Sequence, residues 1–160
     1  MKIIFLDFDG VITTKKSRYK LDKDKLDLLG YILKETGVKI VISSSWRKHN
    51  LEETKKYLSE ISNFVPFPFP FIDDIIGVTP RMVVYIDDQY KSVPRGMEID
   101  YWLWKYESKF GLIDSFVIVD DEWDMLLYQK EAFVHTNSNT GLNKRQSDRI
   151  IKILNKNGLY

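Results

Sequence analysis

The chain has no cysteine, no excess of one charge and no long apolar run, and each absence narrows what it can be. Without a thiol it can have no disulfide framework, no thiolate zinc site and no cysteine nucleophile. Its 24 lysines and arginines stand against 23 aspartates and glutamates. That balance argues against a general nucleic-acid or membrane binder, although it is compatible with a small basic patch.

No segment is apolar for long enough to be a membrane-spanning helix or the core of a signal peptide. The first apolar run, Ile3–Leu6, has only four residues before Asp7 interrupts it. We therefore expect a cytoplasmic protein with no membrane partner. Its 160 residues, 44% apolar and 29% charged, suffice for one ordinary core. We expect a single domain over residues 1–160.

Apolar runs typical of buried strands alternate with helical patterns along most of the sequence. This alternation predicts an α/β three-layer sandwich with a mainly parallel sheet. Residues 62–80, which include the alternating Pro and Phe of Phe64–Phe71, predict an extended connection instead. The other elements are expected as strands at Ile3–Leu6, Val38–Ile42, Phe116–Val119 and Ala132–His135, and helices at 22–35, after Asn50, over Ile99–Tyr106 and after Asn143.

Polar side chains follow three of these strands at the point where each strand ends. They are Asp7, Ser43 and Asp120. In open α/β sheets, ligands bind at the carboxyl ends of the strands. We therefore expect these three residues to be neighbours in one site.

The first of these strands is followed by Asp-Phe-Asp-Gly at Asp7–Gly10. Residues two apart in extended chain point the same way, so Asp7 and Asp9 can address one reacting group. One carboxylate could attack phosphorus to form an aspartyl-phosphate while the other handles the proton. Gly10 would let the backbone approach a ligand closely. The same residue types also fit an ordinary acidic turn.

Two further segments could supply ligands for phosphate and for a metal ion. The hydroxyl and backbone N–H groups of Ser43–Ser45, with Arg47, could hold phosphate oxygens, although serines also cap helices. Four acids within Asp120–Asp124 repel one another unless a hard cation such as Mg²⁺ lies among them. The alternative there is an acidic turn that begins a helix. The three segments in this order favour phosphoryl-transfer chemistry.

This ordered set resembles the signature of the haloacid dehalogenase (HAD) superfamily of phosphohydrolases, over roughly residues 1–136. That signature is Asp-x-Asp-Gly after the first strand, Ser or Thr after the second, then Lys or Arg, then paired acids. The resemblance implies that Asp7 is the nucleophile and that Asp9 is the general acid and base. The further residues it implies are Gly10, Ser43, Ser44 and Arg95 for the phosphoryl group, and Asp7, Asp9, Asp120, Asp121 and Asp124 for Mg²⁺.

A narrower likeness is to the HAD domain of Swiss Army Knife RNA repair proteins, in which the domain is inferred to remove phosphates from nucleic-acid ends. The segments that carry it are Ser44–Arg47, Gly77–Pro80, Arg95–Ile99 with Trp102-Leu103, Val119–Asp121 with Asp124-Met125, and Thr136 with Gly141-Leu142.

Three assignments stay open at this stage. Most HAD phosphatases have Lys where this chain has Arg95, and Lys91 and Arg81 compete for that role. Either Asp120 or Asp121 could be the metal ligand. The apolar run at Met82–Asp88 also ends in paired acids, and if it were the metal strand, the cation would come from Lys55 or Lys56.

The sequence leaves little room for a cap domain, which in HAD enzymes encloses small substrates. About a dozen residues separate Gly10 from the first predicted helix. We therefore expect a capless, Mg²⁺-dependent phosphomonoester phosphatase that acts through an aspartyl-phosphate on RNA or DNA ends or nucleotides. The alternatives are a small-metabolite HAD phosphatase and a non-catalytic HAD-like module that binds phosphate or a partner.

Overall fold

The apolar run at the N-terminus forms the central strand of a five-stranded parallel sheet in the computed structural model, which describes residues 1–61, 69–111 and 113–156. The strands are β1 (Lys2–Leu6), β2 (Lys39–Ile42), β3 (Ile75–Val78), β4 (Val83–Ile86), β5 (Gln89–Ser92), β6 (Ser115–Asp120) and β7 (Phe133–His135). The helices are α1 (Lys23–Thr36), α2 (Leu51–Ile61), α3 (Arg95–Phe110) and α4 (Lys144–Leu154).

The five parallel strands lie in the order β3-β2-β1-β6-β7. The chain first moves outward from β1 through β2 to β3, and then returns to the other side of β1 at β6. The order therefore reverses between β1 and β6, and a crevice at such a reversal is where open α/β sheets bind ligands. Asp7 follows β1 and Asp120 ends β6, so both lie at this point.

Each face of the sheet has its own apolar core. Ile4 and Leu6 of β1 pack towards α1, α2 and α4, whereas Ile3 and Phe5 pack towards α3. Successive residues of a strand point to opposite faces, so a strand that is covered on both sides must be apolar throughout. The result is three layers, and the predicted α/β sandwich is confirmed.

The helix expected at 22–35 is α1, and the one expected over Ile99–Tyr106 extends in both directions to form α3. Asp22 caps α1, its side chain accepting a hydrogen bond from the backbone N–H of Asp24, and Gly37 ends that helix with a φ of 64°. Asn143 and Gln146 form the reciprocal capping box that begins α4.

The expectation of an extended connection over residues 62–80 is wrong for its last part, because Ile75–Val78 forms β3 at the edge of the sheet. Phe64–Pro68 lie outside the described residues. Phe69 is buried and stacks on Phe8, with 5.3 Å between the ring centroids. This end of the Phe-Pro segment therefore packs into the core.

The segment that could have been a second metal strand is instead an antiparallel hairpin, formed by β4 and β5 outside the main sheet. Asp87 and Asp88 form its tip with φ values of 53° and 58°, as in a type I′ turn. Both strands are exposed along their whole length. Apart from this hairpin, nothing in the described residues is inserted between β3 and α3, and the sandwich has no cap domain there.

The described helices include none that is both long and apolar enough to cross a bilayer.

Candidate active site

Three carboxylates meet at the point where the strand order reverses. Oxygens of Asp7, Asp120 and Asp121 all lie within 4.8 Å of one another. Asp7 and Asp120 are buried, and Asp121 is half-buried. The backbone N–H of Asp7 donates to the carbonyl of Val119 at 3.0 Å, which ties the turn after β1 to the end of β6.

The two buried carboxyl groups hold their protons more tightly than a solvated aspartate does. Burial raises the pKa of Asp7 from 3.8 to about 6, against the opposing effect of the Arg95 charge. Burial, and then the charge of Asp7, raise the pKa of Asp120 to about 7. Burial, followed by the charge of Glu122, also raises the pKa of Asp121. Acids held together in this way favour a bound cation.

Arg95 is the cation that the fold brings to these acids. It is the first residue of α3, where its Nη1 donates to Asp7 Oδ1 at 3.1 Å and to the carbonyl of Ser43. Its Nε lies 3.6 Å from Asp120 Oδ2. Burial lowers the pKa of Arg95, but the neighbouring carboxylates, Asp120 first, outweigh burial and raise it. Arg95 therefore stays charged where phosphoryl oxygens would develop negative charge.

Asp9 lies outside the three-carboxylate group and is held by two hydrogen bonds. Trp46 Nε1 donates to its Oδ2 at 3.0 Å, and Thr13 Oγ1 donates to its Oδ1 at 2.9 Å. The indole of Trp46 also packs on Phe8, with 5.3 Å between the ring centroids. Because both oxygens are engaged, the Asp9 carboxylate is fixed in orientation, as a positioned acid or base requires.

The backbone at Gly10 lies against the Asp121 carboxylate. Its φ is 72°, and a Cβ at this position would overlap the Asp121 carboxylate. The carbonyl of Gly10 accepts a hydrogen bond from Thr136 Oγ1 at 2.8 Å, which ties the turn to the segment after β7. A larger residue at position 10 would therefore displace either this turn or Asp121.

The serines after β2 take different positions. The Ser44 hydroxyl forms a hydrogen bond with Asp7, and its Oγ accepts the backbone N–H of Trp46 at 3.3 Å. Ser43 is fully buried, and its Oγ has no hydrogen-bond partner in the described part of the chain. Ser44 is thus the serine hydroxyl in contact with Asp7, and that of Ser43 is available to another ligand.

Arg47, which was a candidate phosphate ligand, is committed to the protein. Its guanidinium forms an ion pair with Glu98 at 2.5 Å and donates to the carbonyls of Ser43, Ser44 and Thr79. Burial lowers its pKa. Arg47 therefore links the turn after β2 to α3, and its donors are used in doing so.

Asp124 caps the N-terminus of α3 and is not part of the acid cluster. Its Oδ2 accepts the backbone N–H of Arg95 at 2.7 Å, and its carbonyl accepts that of Gly96 at 3.1 Å.

The two residues that compete with Arg95 for the role of the phosphate-binding cation lie on or beside the hairpin. Lys91 is 3.8 Å from Asp87 on exposed β5, and Arg81 is bonded to the carbonyls of Ser45 and Arg47.

The acid cluster fits a hard divalent cation. Besides the three converging carboxylates, Asp120 Oδ2 is buried and accepts no hydrogen bond from the described residues. The Nε of Arg95 lies 3.6 Å from this oxygen, too far to donate a hydrogen bond, so the oxygen keeps its lone pairs for a metal ion. Oxygen ligands of this kind suit Mg²⁺, and both Asp120 and Asp121 can provide them.

The comparison with known protein families agrees with the geometry of this site. The family model of the HAD domain in Swiss Army Knife RNA repair proteins matches residues 3–147. The chain belongs to this family. The matched range of this HAD domain contains every site residue described above, from Asp7 to Asp124. HAD domains generally carry phosphatase-type chemistry and use Mg²⁺. No curated protein and no solved structure matches the chain.

Two contacts in this HAD domain were not expected from the sequence. The sequence gives Trp46 no role beyond the Ser44–Arg47 segment, yet its ring N–H donates a hydrogen bond to Asp9. No sequence pattern points to Thr13, whose hydroxyl donates to the other oxygen of Asp9. The only sequence signal is that Trp46 follows the serine run directly, and this places it at the same edge of the sheet as Asp7.

Proposed function

We propose that the chain is a Mg²⁺-dependent phosphomonoester phosphatase that works through an aspartyl-phosphate on phosphorylated nucleic-acid ends or nucleotides. The observation that carries the proposal is the meeting of Asp7, Asp120 and Asp121 within 4.8 Å under the guanidinium of Arg95. The phosphatase-type chemistry of the family and its RNA repair context support the reaction and the substrate class.

In the first half of the reaction, a carboxylate oxygen of Asp7 attacks phosphorus and forms a new O–P bond while the ester P–O bond breaks. Arg95, already bonded to Asp7, stabilises the negative charge on the phosphoryl oxygens. Asp9 donates its proton to the leaving oxygen, with its carboxyl group oriented by Trp46 and Thr13.

In the second half, Asp9 takes a proton from water, and the resulting hydroxide attacks the phosphorus of the aspartyl-phosphate. The bond between phosphorus and Asp7 breaks, which releases inorganic phosphate and restores both carboxyl groups. Asp7, Asp120 and Asp121 would hold Mg²⁺, whose charge would offset that of the acids and of the substrate. Asp9 argues against a purely binding role, because holding a phosphate requires no oriented acid beside the nucleophile.

The test is phosphate release from a panel of oligonucleotides phosphorylated at the 3′ or 5′ end, with sugar phosphates for comparison. Release should require Mg²⁺, stop with EDTA and be absent in Asp7→Asn. The matched control is Asp73→Asn, an exposed acid in the turn before β3, which should behave as the unchanged protein. Faster turnover of sugar phosphates would redirect the proposal to a metabolite, and Mg²⁺ binding without release would indicate a binding module.

A further inference from the structure

An open cavity of about 350 Å³ lies between Arg95, at the start of α3, and the base of the β4–β5 hairpin. Its size falls at the lower end of the range for small-ligand pockets. Arg95 lines this cavity as well as contacting Asp7, so the cavity opens next to the proposed reacting phosphate. Its lining includes Arg81, Met82 and Val83 on one side of the hairpin and Ser92 on the other.

Arg81 is held in place but keeps free donors. Its Nη2 donates to the carbonyl of Ser45 at 2.7 Å and to that of Arg47 at 3.0 Å. The other N–H groups of this exposed guanidinium have no partner in the described ranges. A guanidinium presents five donors in a fixed fork, so Arg81 can still bind a phosphate group with those that remain.

The charges around the cavity favour an anion. Three arginines line it, Arg47, Arg81 and Arg95, against two acids, Glu98 and Asp124. Both acids are already engaged: Glu98 binds Arg47 and the backbone N–H of Met82, and Asp124 binds the first residue of α3. The cation left to meet a ligand away from the reacting phosphate is therefore Arg81.

The hairpin next to Arg81 exposes aromatic and aliphatic side chains. Tyr85 and Tyr90 face each other across the two strands with 5.0 Å between ring centroids, and they are 61% and 77% exposed. Val83, at the base, is 58% exposed. Exposed apolar surface beside a polar pocket marks a binding site, and tyrosine rings are the kind of surface on which nucleobases stack.

We propose that Arg81 binds the second phosphate of a nucleic-acid strand, and that Tyr85 and Tyr90 stack on the base next to the reacting end. This inference rests on the proposed function and narrows its substrate to a polynucleotide end. We commit to a strand as the occupant because a strand presents a second phosphate and a flat base next to its terminal phosphate, which matches Arg81 and the tyrosine pair beside the cavity. A protein ligand with an acidic or phosphorylated side chain is the competing occupant, and the phosphopeptide arm of the test below separates it from a strand.

Equilibrium binding tests the inference without needing turnover. Binding is measured by fluorescence anisotropy at several salt concentrations, with Asp7→Asn as the parent protein. Two single-stranded oligonucleotides of the same sequence serve as ligands. One is labelled at the 5′ end and phosphorylated at the 3′ end, and the other has the label and the phosphate exchanged. Arg81→Ala should reduce the slope of log affinity against log salt by about 0.7, the contribution of one phosphate on a single strand. Arg145→Ala, an exposed arginine on α4, is the control and should leave the slope unchanged.

The stacking half of the inference is tested in the same assay. Tyr90→Ala should weaken binding about tenfold, as expected for the loss of one stacked base. Trp104→Ala removes an equally exposed ring from α3 and should have no effect. Equal losses in Tyr90→Ala and Trp104→Ala, an unchanged salt slope in Arg81→Ala, or equally tight binding of a phosphopeptide of the same charge would overturn the inference.

Turnover separates this inference from the proposed function. The unchanged protein should hydrolyse a nucleoside 3′,5′-bisphosphate at least tenfold more efficiently than a nucleoside monophosphate, and Arg81→Ala should bring that ratio close to one. If no phosphomonoester is hydrolysed, the proposed function fails. The salt dependence of binding still decides whether Arg81 contacts a phosphate. If hydrolysis depends on Asp7 but the ratio does not depend on Arg81, only the further inference fails.

Discussion

Arg95, which contacts the acid cluster, and the base of the β4–β5 hairpin line one cavity, yet the cluster and the hairpin are built in opposite ways. In the cluster, charged groups are buried and fixed by short contacts, as Asp7 is by Arg95 and Ser44. In the hairpin, apolar side chains such as Tyr85 and Tyr90 are exposed, and few of them contact the rest of the protein.

The difference separates two tasks. Buried charges are costly to assemble, and they are worth that cost where they must stabilise a transition state in one fixed geometry. Exposed apolar groups cost little in the free protein and gain stability only when a ligand covers them. Substitutions in the cluster should therefore change folding and chemistry strongly, whereas those in the hairpin should change ligand affinity alone.

The largest effect on stability is expected at the ion pair behind the cluster. Glu98→Gln leaves the buried Arg47 without its counter-charge and should lower the free energy of unfolding by about 3 to 5 kcal/mol. Urea unfolding measures it. Glu60→Gln, at an exposed pair with Lys56, should cost less than about 1 kcal/mol. Equal costs would show that the buried pair is not a structural link.

Arg95→Ala should cause the next largest effect, a fall in kcat of about 100- to 1,000-fold, because the variant loses the charge that would stabilise the phosphoryl oxygens. Steady-state kinetics with an oligonucleotide substrate measures it, and Arg145→Ala is the matched control. Activity close to that of the unchanged protein would mean that Arg95 is not the cation of the reaction and would reopen the case for Lys91.

The raised pKa values predict how metal and pH act together on stability. The folded protein keeps protons on Asp7 up to about pH 6 and on Asp120 up to about pH 7, whereas the unfolded chain loses them near 3.8. The stability these protons provide is complete below about pH 4 and is lost as pH rises through about 7. Mg²⁺ takes their place, so it should stabilise the protein more at about pH 8 than at about pH 5.

At a hundredfold excess over its dissociation constant, Mg²⁺ should add about 2.7 kcal/mol, or roughly 5 to 10 °C in Tm. Thermal unfolding with and without Mg²⁺ at the two pH values measures the difference. Asp120→Asn should remove most of it, whereas Asp73→Asn should not. A gain in Tm that is the same at both pH values would contradict this assignment of the metal site.

Trp46→Phe should have a smaller effect, a fall in kcat of about 10- to 100-fold with little change in KM. The phenyl ring keeps the packing on Phe8 but loses the N–H whose hydrogen bond orients the Asp9 carboxyl group. Trp104→Phe on α3 is the control. A rise in KM with unchanged kcat would indicate that Trp46 acts on the substrate instead.

The smallest effect should be that of the hairpin on stability. Tyr85→Ser and Tyr90→Ser remove exposed rings and should change the free energy of unfolding by no more than about 0.5 kcal/mol. Urea unfolding measures it alongside Glu98→Gln. A loss of about 2 kcal/mol or more, the cost of truncating a buried side chain, would mean that the hairpin packs as part of the folded core and is not an exposed ligand-binding surface.

Those parts of the molecule that depend on local pattern could be predicted from the sequence. Strands covered on both faces, such as β1 and β6, are continuous apolar runs, and polar residues at their ends mark the edge where ligands bind. Asp7 and Asp120 were placed together on that ground. The strand β3 was missed because Gly77 interrupts its apolar run. The lack of a side chain at Gly77 makes room for Trp102, a contact that the sequence does not show.

The parts that depend on distant contacts could not be predicted. Trp46 reaches Asp9 across 37 residues of chain, and no spacing rule covers such a contact. Likewise, nothing in the sequence tells that Arg47 is paired inside the protein while Arg95 faces the acids. The packing of α3 against the sheet decides this, because α3 carries both Glu98, which pairs with Arg47, and Arg95 itself.

The central claim, that Asp7 takes up the phosphoryl group, can be tested with an aryl phosphate whose leaving group needs no proton. In Asp9→Asn, the first half of the reaction should still proceed while the hydrolysis step stalls. Acid quenching followed by mass spectrometry of peptides should then find one phosphoryl group per chain, on Asp7. A phosphoryl group on another residue, or phosphate release that persists in Asp7→Asn, would contradict the account.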